Sequence, residues 1–553
     1  MTTATPARPV FPQEIWWMVA QELATICDFG TLFTCARLSQ GLANLALPQL
    51  YGIHDQSPAI NAHILDVETS VCLWRSIIAS SLGKTRYPYC CWIKSLKLGN
   101  LHSHLEDLSR TNPGLKARFF KAPLQKFMIK LRGQQLNLDG IVIEVANSLT
   151  SYIRTAADQA DKRVALTTLE GWHLPTAHLA SWVSNLSCLT CLVVRDGSVL
   201  TADVARALRA NCPSFKDLEC YFCQGTEIDE ELAGFFQDLE PQTLECFTVL
   251  SLNNLGKKTF KALGAHSKSL KRLDLFSLEP SALASLHELH HCVAIEELSL
   301  EGNYMAQAYH WQEENKSAFS EVVDWLIQCV SLKELDMILV PNSTVLLSEL
   351  ADPKLTIFEL TSLTLKLNEL DNEAFYGFIK RQESLRQLTL RFVDDEILEG
   401  WPDRNDVFAE ALLHLSDLRE LDTNELFTAE NINLMAQCGL DSLEDIVLNG
   451  DMIDDEFFLN LLGFEHLKSL SIFGPSCVTG PSICRFIDLL STRDSSEAHE
   501  GLQISISSQV WELQLGEEME KTISEMIKEK FGGTFDITYR PDPDELHESD
   551  FSD

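Results

Sequence analysis

The sequence is poor in basic residues: 44 Lys and Arg stand against 80 Asp and Glu among 553 residues, a net charge of −36. It contains no run of about 18 consecutive apolar residues, the length that a membrane-spanning helix needs, and no Gly-x-x-x-x-Gly-Lys-Ser/Thr phosphate loop. The acidic balance argues against binding to nucleic-acid phosphates, which requires a basic surface. Because the sequence has no signal-peptide pattern either, we expect an intracellular protein of the cytoplasm or nucleus.

A hydrophobic triplet, spaced as Leu-x-x-Leu-x-Leu, returns from about residue 93 to about residue 472. Its clearest copies begin at Leu270, Leu332 and Leu385, and further copies begin at Ile93, Leu124 and Leu166 among others. Most intervals lie between about 25 and 30 residues, near the range of leucine-rich repeats. The pattern predicts an α/β leucine-rich-repeat solenoid, with a curved parallel sheet and helices on its outside.

The N-terminal residues do not follow this repeat. Pro12 stands where a helix would begin, and Ile15, Met18, Val19 and Leu23 then fall on one face at helical spacing. A second helix is predicted after residues 25–30, and residues 47–51 close the unit. We therefore expect a compact helical module over residues 9–52, close to the lower size limit for independent folding.

The sequence of this module resembles an F-box of the divergent fungal type. The resemblance lies in Phe11-Pro12-Gln13-Glu14-Ile15, in the apolar positions that follow, and in Leu47-Pro48-Gln49-Leu50-Tyr51. Phe11 departs from the leucine that usually opens the motif. A simple helical cap on the solenoid is the alternative interpretation of the module.

The resemblance implies a substrate receptor of a Skp–cullin–F-box ubiquitin ligase, with no catalytic residue and no cofactor of its own. The F-box would dock the Skp adaptor subunit, and the repeats would hold the target. The alternative is a repeat scaffold or inhibitor that binds a basic protein without any link to a ligase. The adaptor contacts implied by the resemblance are Phe11, Pro12, Ile15, Val19 and Leu32.

Side chains that alternate with the core positions of each strand point onto the concave face of the sheet. The early repeats place Lys97 and Lys126 there, but from Leu166 onward Arg272 is the single basic residue among many acidic ones. Such an array attracts ligands of opposite charge, so we predict a basic target. The alternative is that an acidic protein shows acidic residues everywhere. The predicted target contacts are Asp217, Glu219, Asp274, Glu297, Glu334, Asp336, Glu420 and Asp422.

Two intervals between triplets are longer than the rest. Residues 303–317 include Tyr304, Tyr309 and Trp311, and residues 394–404 include Trp401. Insertions in a solenoid map to loops on one face, often the binding face, so Trp311 and Trp401 are candidate target contacts. Alternatively, these rings fill a gap between repeats.

Two metal-like patterns are discounted. Cys188, Cys191, Cys220 and Cys223 match the spacing of a zinc site, but the repeat places Cys191 and Cys220 on opposite sheet faces. The sixteen cysteines are instead expected to be reduced and mostly buried. The segment from His287 to His291 matches His-Glu-x-x-His, yet it lies in a helical return without a third ligand or a cleft. We predict no metal site.

The remaining boundaries follow from composition. We expect a disordered N-terminus at residues 1–8, a helical linker at 53–91, the solenoid at 92–480, a C-terminal cap at 481–540 and an acidic disordered tail at 541–553. A last pair of degenerate repeats is the alternative to the cap.

Overall fold

The structure is a computed structural model of the whole chain. The residues that it describes are 12–61, 67–111, 113–131, 135–160, 164–171, 176–368, 374–392, 401–425, 427–437, 440, 442–449, 453–474, 477–493, 496–508 and 515–539. The predicted disordered ends at residues 1–8 and 541–553 lie outside them. Two compact units divide the chain, Met1–Leu270 and Lys271–Asp553.

The first unit begins with three helices, α1 (Gln13–Thr25), α2 (Phe29–Leu38) and α3 (Gln40–Gly52). The side chain of Asp28 caps α2, and that of Ser39 caps α3 by accepting a hydrogen bond from the amide of Leu42. The sequence predicted a single helix across α2 and α3. The Ser39 cap divides it in two.

The linker and the first repeats complete this unit. Its helices are α4 (Pro58–Asn61), α5 (Val67–Ser80), α6 (Leu98–Thr111), α7 (Pro113–Phe119), α8 (Leu138–Ala160), α9 (Thr176–Ser184), α10 (Ala202–Asn211), α11 (Ile228–Asp238) and α12 (Lys257–Leu263). Its strands are β1 (Ser95–Lys97), β2 (Thr168–Gly171), β3 (Cys191–Asp196), β4 (Asp217–Phe222) and β5 (Cys246–Val249), each parallel to the next.

One predicted repeat of the first unit is wrong. Leu124 begins a 3₁₀ turn, Leu124–Phe127, and β1 pairs directly with β2. The three apolar positions of that copy match the triplet, but the segment lies in a helical insertion between the two strands. Lys126 consequently does not lie on the sheet face where the sequence placed it.

The second unit repeats the same pairing over the ten strands that its described residues form. They are β6 (Arg272–Leu278), β7 (Glu297–Gly302), β8 (Glu334–Ile338), β9 (Ser362–Asn368), β10 (Gln387–Phe392), β11 (Glu420–Thr423), β12 (Asp445–Asn449), β13 (Ser469–Phe473), β14 (Gln503–Ser508) and β15 (Thr534–Tyr539). Each is parallel to the next. Because β14 and β15 continue the parallel pairing, the C-terminal segment fits the alternative of degenerate repeats.

Helices connect these strands. They are α13 (Pro280–Leu283), α14 (Trp311–Glu314), α15 (Lys316–Gln328), α16 (Ser343–Ser348), α17 (Phe375–Ile379), α18 (Trp401–Leu412), α19 (Ala429–Gln437), α20 (Asp455–Asn460), α21 (Gly480–Ser491) and α22 (Glu517–Phe531). Parallel neighbours require such crossover connections, because the chain must return to the same end of the sheet.

The triplet positions form the core. Leu270, Leu273 and Leu275 are fully buried, as are their equivalents in the neighbouring repeats. The predicted α/β leucine-rich-repeat fold is therefore confirmed. No helix among the described residues is both long enough and apolar enough to cross a membrane.

Candidate functional site

The first candidate surface is the outer side of α1. This helix packs against the module through Ala20 and Ala24, whose small side chains allow close approach. The larger apolar side chains of residues 15–19 are exposed to solvent, and 58% of the surface of Met18 is accessible. The sequence predicted that Ile15, Met18, Val19 and Leu23 share one face, but only Leu23 packs against the core.

The predicted adaptor contacts fall into three groups. Pro12, Ile15 and Val19 are accessible at the start of α1. Leu32 is 0% exposed, because it lies in the module core with Ala20 and Ala24. It is therefore corrected from an adaptor contact to a packing residue. Phe11 lies outside the described residues.

Sequence reasoning missed several exposed apolar side chains of the module. Trp16 and Trp17 of α1 are exposed, and Ile26, Phe33 and Leu38 are more exposed than Ile15. A small apolar pocket opens between the helices, lined by Trp16, Val19, Ala20, Leu23, Leu32, Cys35, Leu42, Leu45 and Ala46. Several exposed apolar side chains on one small module are typical of an interaction site.

The second candidate surface is the acidic sheet face, which each unit carries on its own strands. In the first unit, Asp217 and Glu219 of β4 are half-buried on the face opposite the core residues Leu218 and Cys220. Burial, together with the nearby carboxylates of Asp217 and Glu219, raises the pKa of the Cys191 thiol to about 12. This thiol is held protonated and unreactive beside acidic neighbours.

The acidic face of the second unit begins on β6–β8. Glu297 lies opposite Glu334, and Asp274 shares this face. Arg272 contacts two of these carboxylates, with its Nη1 3.2 Å from Glu297 Oε2 and its Nε 3.5 Å from Asp274 Oδ2. Arg272 is therefore already held by acidic partners.

Mutual repulsion and burial alter the acidity of this face. Burial raises the pKa of Glu334, and the carboxylates of Glu297 and Asp336 raise it further. Burial also raises the pKa of Asp336, although a hydrogen bond from Thr364 opposes the shift. A cation bound here would relieve the cost of holding these charges together.

A further acidic group lies on β11 and β12. Glu420 is directly opposite Asp445, and burial and the Glu420 carboxylate both raise the pKa of Asp445. Asp422 differs because the Nε of Arg391 lies 2.7 Å from its Oδ1. The predicted target contacts thus lie at half-buried or exposed strand positions, and Asp422, like Asp274 and Glu297, already contacts an arginine of the chain.

The two predicted tryptophan contacts have different outcomes. Trp311 is buried, with its ring packed edge-on against Phe319 at 5.4 Å between centroids. It is therefore corrected to a core residue, in agreement with the gap-filling alternative. Tyr304, at 82% exposure, is the accessible ring of that insertion. Trp401 is the first residue of α18, and its side chain is not among those that the structure describes.

The structure places the metal-like patterns in unsuitable settings. Leu286–Leu289 is a 3₁₀ turn, so His287 and His291 are not one α-helical turn apart on a common face. Cys220 lies on the core side of β4, level with Val194 of β3, whereas Cys191 occupies the other face. Among the described residues, no group of three or more His, Cys, Asp or Glu could hold a metal ion.

Comparison with known proteins gives distant likenesses. The chain is similar to a chain in the crystal structure of the Rad7 and Elc1 complex in yeast, at 15% identity and a TM-score of 0.35, over 82% of this chain and 90% of that one. It is similar to a chain of the TLR13–ssRNA13 complex at 15% identity and a TM-score of 0.34, over 74% of this chain and 54% of that one. No protein-family model and no curated protein sequence matches. At this distance neither structure indicates what the chain binds.

Proposed function

We propose that the chain is the substrate-recognition adaptor of a Skp–cullin–F-box ubiquitin ligase. In this proposal, α1–α3 dock the Skp adaptor and the repeats bind a target protein. The observation that carries the proposal is the exposed apolar surface of α1, in a module whose sequence resembles an F-box. Leaving such a surface in water is unfavourable unless a partner covers it.

The shape of α1 suits a helix-in-groove contact. At about 100° per residue, Ile15, Val19 and the adjoining Ile26 fall within a narrow stripe on the side away from Ala20 and Ala24. An apolar stripe of this kind docks into a complementary groove of a partner. The role of Leu32 in this arrangement is to hold the module together beneath the stripe.

The proposed mechanism requires no catalytic residue in the chain. The repeats would hold a target while the ligase core carries the ubiquitin-charged conjugating enzyme. Holding two reactants together raises their effective concentration, which is the whole contribution of such a receptor. The chain is then a non-catalytic subunit with no cofactor.

The test is co-purification of the full chain with the Skp adaptor, using the wild type and an Ile15→Asp/Val19→Asp variant. Both substitutions are at accessible positions, so the variant is expected to fold, with an unchanged circular dichroism spectrum. We expect the wild type to retain the adaptor and the variant to lose at least nine-tenths of it, roughly tenfold or more. A matched control is Leu252→Asp/Val330→Asp, at exposed apolar positions of the repeats.

Failure of the folded wild type to bind the adaptor would refute the ligase proposal. The second candidate function would then lead, namely a repeat scaffold or inhibitor that binds a basic protein. The observation that favours this alternative is the acidic sheet face, which needs no ligase to act. Loss of adaptor binding in the control variant would equally count against α1 as the docking surface.

A further inference from the structure

Apolar side chains lie beside carboxylates at the ends of β6–β9 in the second unit. Phe276 on β6 and Ile338 on β8 come after the outward-facing residues Asp274 and Asp336 of the same strands. Leu367 lies near the end of β9. We call Phe276, Ile338 and Leu367 the apolar row. Phe276 and Ile338 are half-buried, and Leu367 is 52% exposed. Alternation along the strands predicts Phe276 and Ile338 on this face, but it does not predict Leu367 there.

Leu367 reaches solvent because of a β-bulge. Leu363 and Leu365 are fully buried, so strict alternation would bury Leu367 as well. Instead, Lys366 pairs with Arg391 and Asn368 with Phe392, which leaves Leu367 as the extra residue. Its φ of 56° is left-handed, and this turns the side chain away from the core.

A similar irregularity follows Phe276 on β6. On β6 the register shifts between Leu275 and Leu278, where Ser277 has a φ of 60°. Two residues of β6 therefore oppose one residue of β7, which is Glu301. Phe276 faces outward by the same alternation as Arg272 and Asp274, and the bulge ends that alternation directly after it.

The charge around the apolar row is negative. The outward positions of β6–β9 carry five carboxylates and two cations, namely Asp274, Glu297, Glu301, Glu334, Asp336, Arg272 and Lys366. Arg272 contacts Asp274 and Glu297, and Lys366 lies close enough to Asp336 to lower its pKa. Burial raises the pKa of Glu301. Charge complementarity therefore calls for a cationic partner.

The spacing of the rows selects the form of that partner. Neighbouring strands are about 4.8 Å apart, so the apolar row spans roughly 14 Å. Glu301 lies within it, level with Ile338, and Asp274 and Asp336, two residues earlier on their strands, lie about 7 Å to one side. A helix about 10 Å wide covers both rows with two adjacent stripes, and about ten residues span the length. An extended segment would direct alternate side chains toward one row only.

We propose that the ends of β6–β9 form a docking surface for a basic amphipathic helix. Its apolar stripe lies on Phe276, Ile338 and Leu367, and its Lys or Arg stripe lies on the adjoining carboxylates. The inference rests on the proposed function, since it names the chemistry of the target that the repeats recruit. The proposed docking surface does not include the adaptor surface on α1. Either proposal can therefore be refuted while the other stands.

The test uses a fluorescein-labelled peptide of 18 residues, roughly five helical turns, with Leu and Lys arranged on opposite helix faces. A scrambled peptide of the same composition is the comparison probe. We expect the full-length chain to bind the amphipathic peptide at least tenfold more tightly than the scrambled one, as measured by fluorescence anisotropy. Equal affinity for the two peptides would overturn the proposal, because charge alone would then account for binding.

Variants locate the site. Leu367→Ser is expected to weaken binding roughly tenfold, since it removes half-exposed apolar surface that the peptide would cover. Leu252→Ser is the matched control, because Leu252 is also 52% exposed but belongs to the other unit. An equal effect of both substitutions, or no effect of Leu367→Ser, would contradict the assignment.

A charge variant tests the carboxylates around the apolar row, namely Glu301, which is level with Ile338, and Glu334, four residues before Ile338. Glu301→Gln/Glu334→Gln keeps the side-chain shapes, and it should weaken binding roughly tenfold at low salt and flatten the salt dependence. The Ile15→Asp/Val19→Asp variant should bind the peptide within twofold of the wild type. A larger loss in that variant would place the peptide on α1 and overturn the proposal.

Discussion

At the scale of single residues, the division of α1 into buried and exposed sides depends on two alanines. All five residues from 15 to 19 are apolar, so the helical spacing of Ile15, Met18 and Val19 does not identify the buried side of α1. Ala20 and Ala24 set the phase, because only small residues allow α1 to pack closely on the module. The same reasoning explains why Leu32 could not be distinguished from the true surface residues by sequence.

Buried histidines give a prediction at this scale. His104 is buried, its Nδ1 lies 3.0 Å from Ser70 Oγ, and burial lowers its pKa to about 4. The unfolded chain therefore binds a proton that the folded chain rejects. Stability is present above about pH 6.5 and is lost as the pH falls toward 4, by roughly 3 kcal/mol from this residue.

Chemical denaturation of the wild type and of His104→Phe across pH 4–7 measures this effect. We expect the free energy of unfolding of the variant to fall less steeply with acid, since the titrating group is gone. His310→Phe, at an exposed position, is the control and should keep the wild-type slope. Parallel slopes for wild type and His104→Phe would show that His104 does not drive acid unfolding.

At the scale of elements, three apolar positions in the right spacing do not suffice to define a strand. Leu124, Phe127 and Ile129 satisfy the triplet, but this segment contains a 3₁₀ turn inside a helical insertion. Bulges are equally invisible to the pattern, because Leu367 occupies a position where alternation predicts burial. Regular strands follow from the sequence, whereas their irregular ends depend on the neighbouring strand.

The close approach of neighbouring repeats gives a prediction about glycine. A Cβ added to Gly302, at the end of β7, would lie 2.1 Å from the carbonyl oxygen of Leu339, which follows β8. That atom belongs to the backbone and cannot move aside cheaply. We expect Gly302→Ala to lower the free energy of unfolding by roughly 1–3 kcal/mol.

Gly234 provides the matched comparison, because it lies within α11 and a Cβ there would meet nothing within 4 Å. Gly234→Ala should be neutral or stabilising by up to about 1 kcal/mol, since alanine is the better helix former. Urea denaturation of both variants measures the two values. Similar destabilisation by both substitutions would mean that the contact with Leu339 does not constrain Gly302.

At the scale of the whole molecule, the repeat determines the fold and the surfaces determine the function. The fold could be predicted because the same triplet recurs many times, so errors such as the one at Leu124 do not change the architecture. The acidic positions could also be predicted, since alternation fixes which side of a strand Glu334 and Asp336 occupy. The exposed side of α1 and the exposure of Leu367 could not be predicted, because the first depends on packing within the module and the second on a bulge.

Hydrogen–deuterium exchange of the full chain with and without the Skp adaptor tests the central claim most directly. We predict slower exchange of amides in residues 12–26, which carry the α1 surface, and unchanged exchange in β10–β14. Protection confined to α1 and its neighbours in the module would support the ligase proposal. No protection of residues 12–26 at saturating adaptor, or protection only in the repeats, would contradict it.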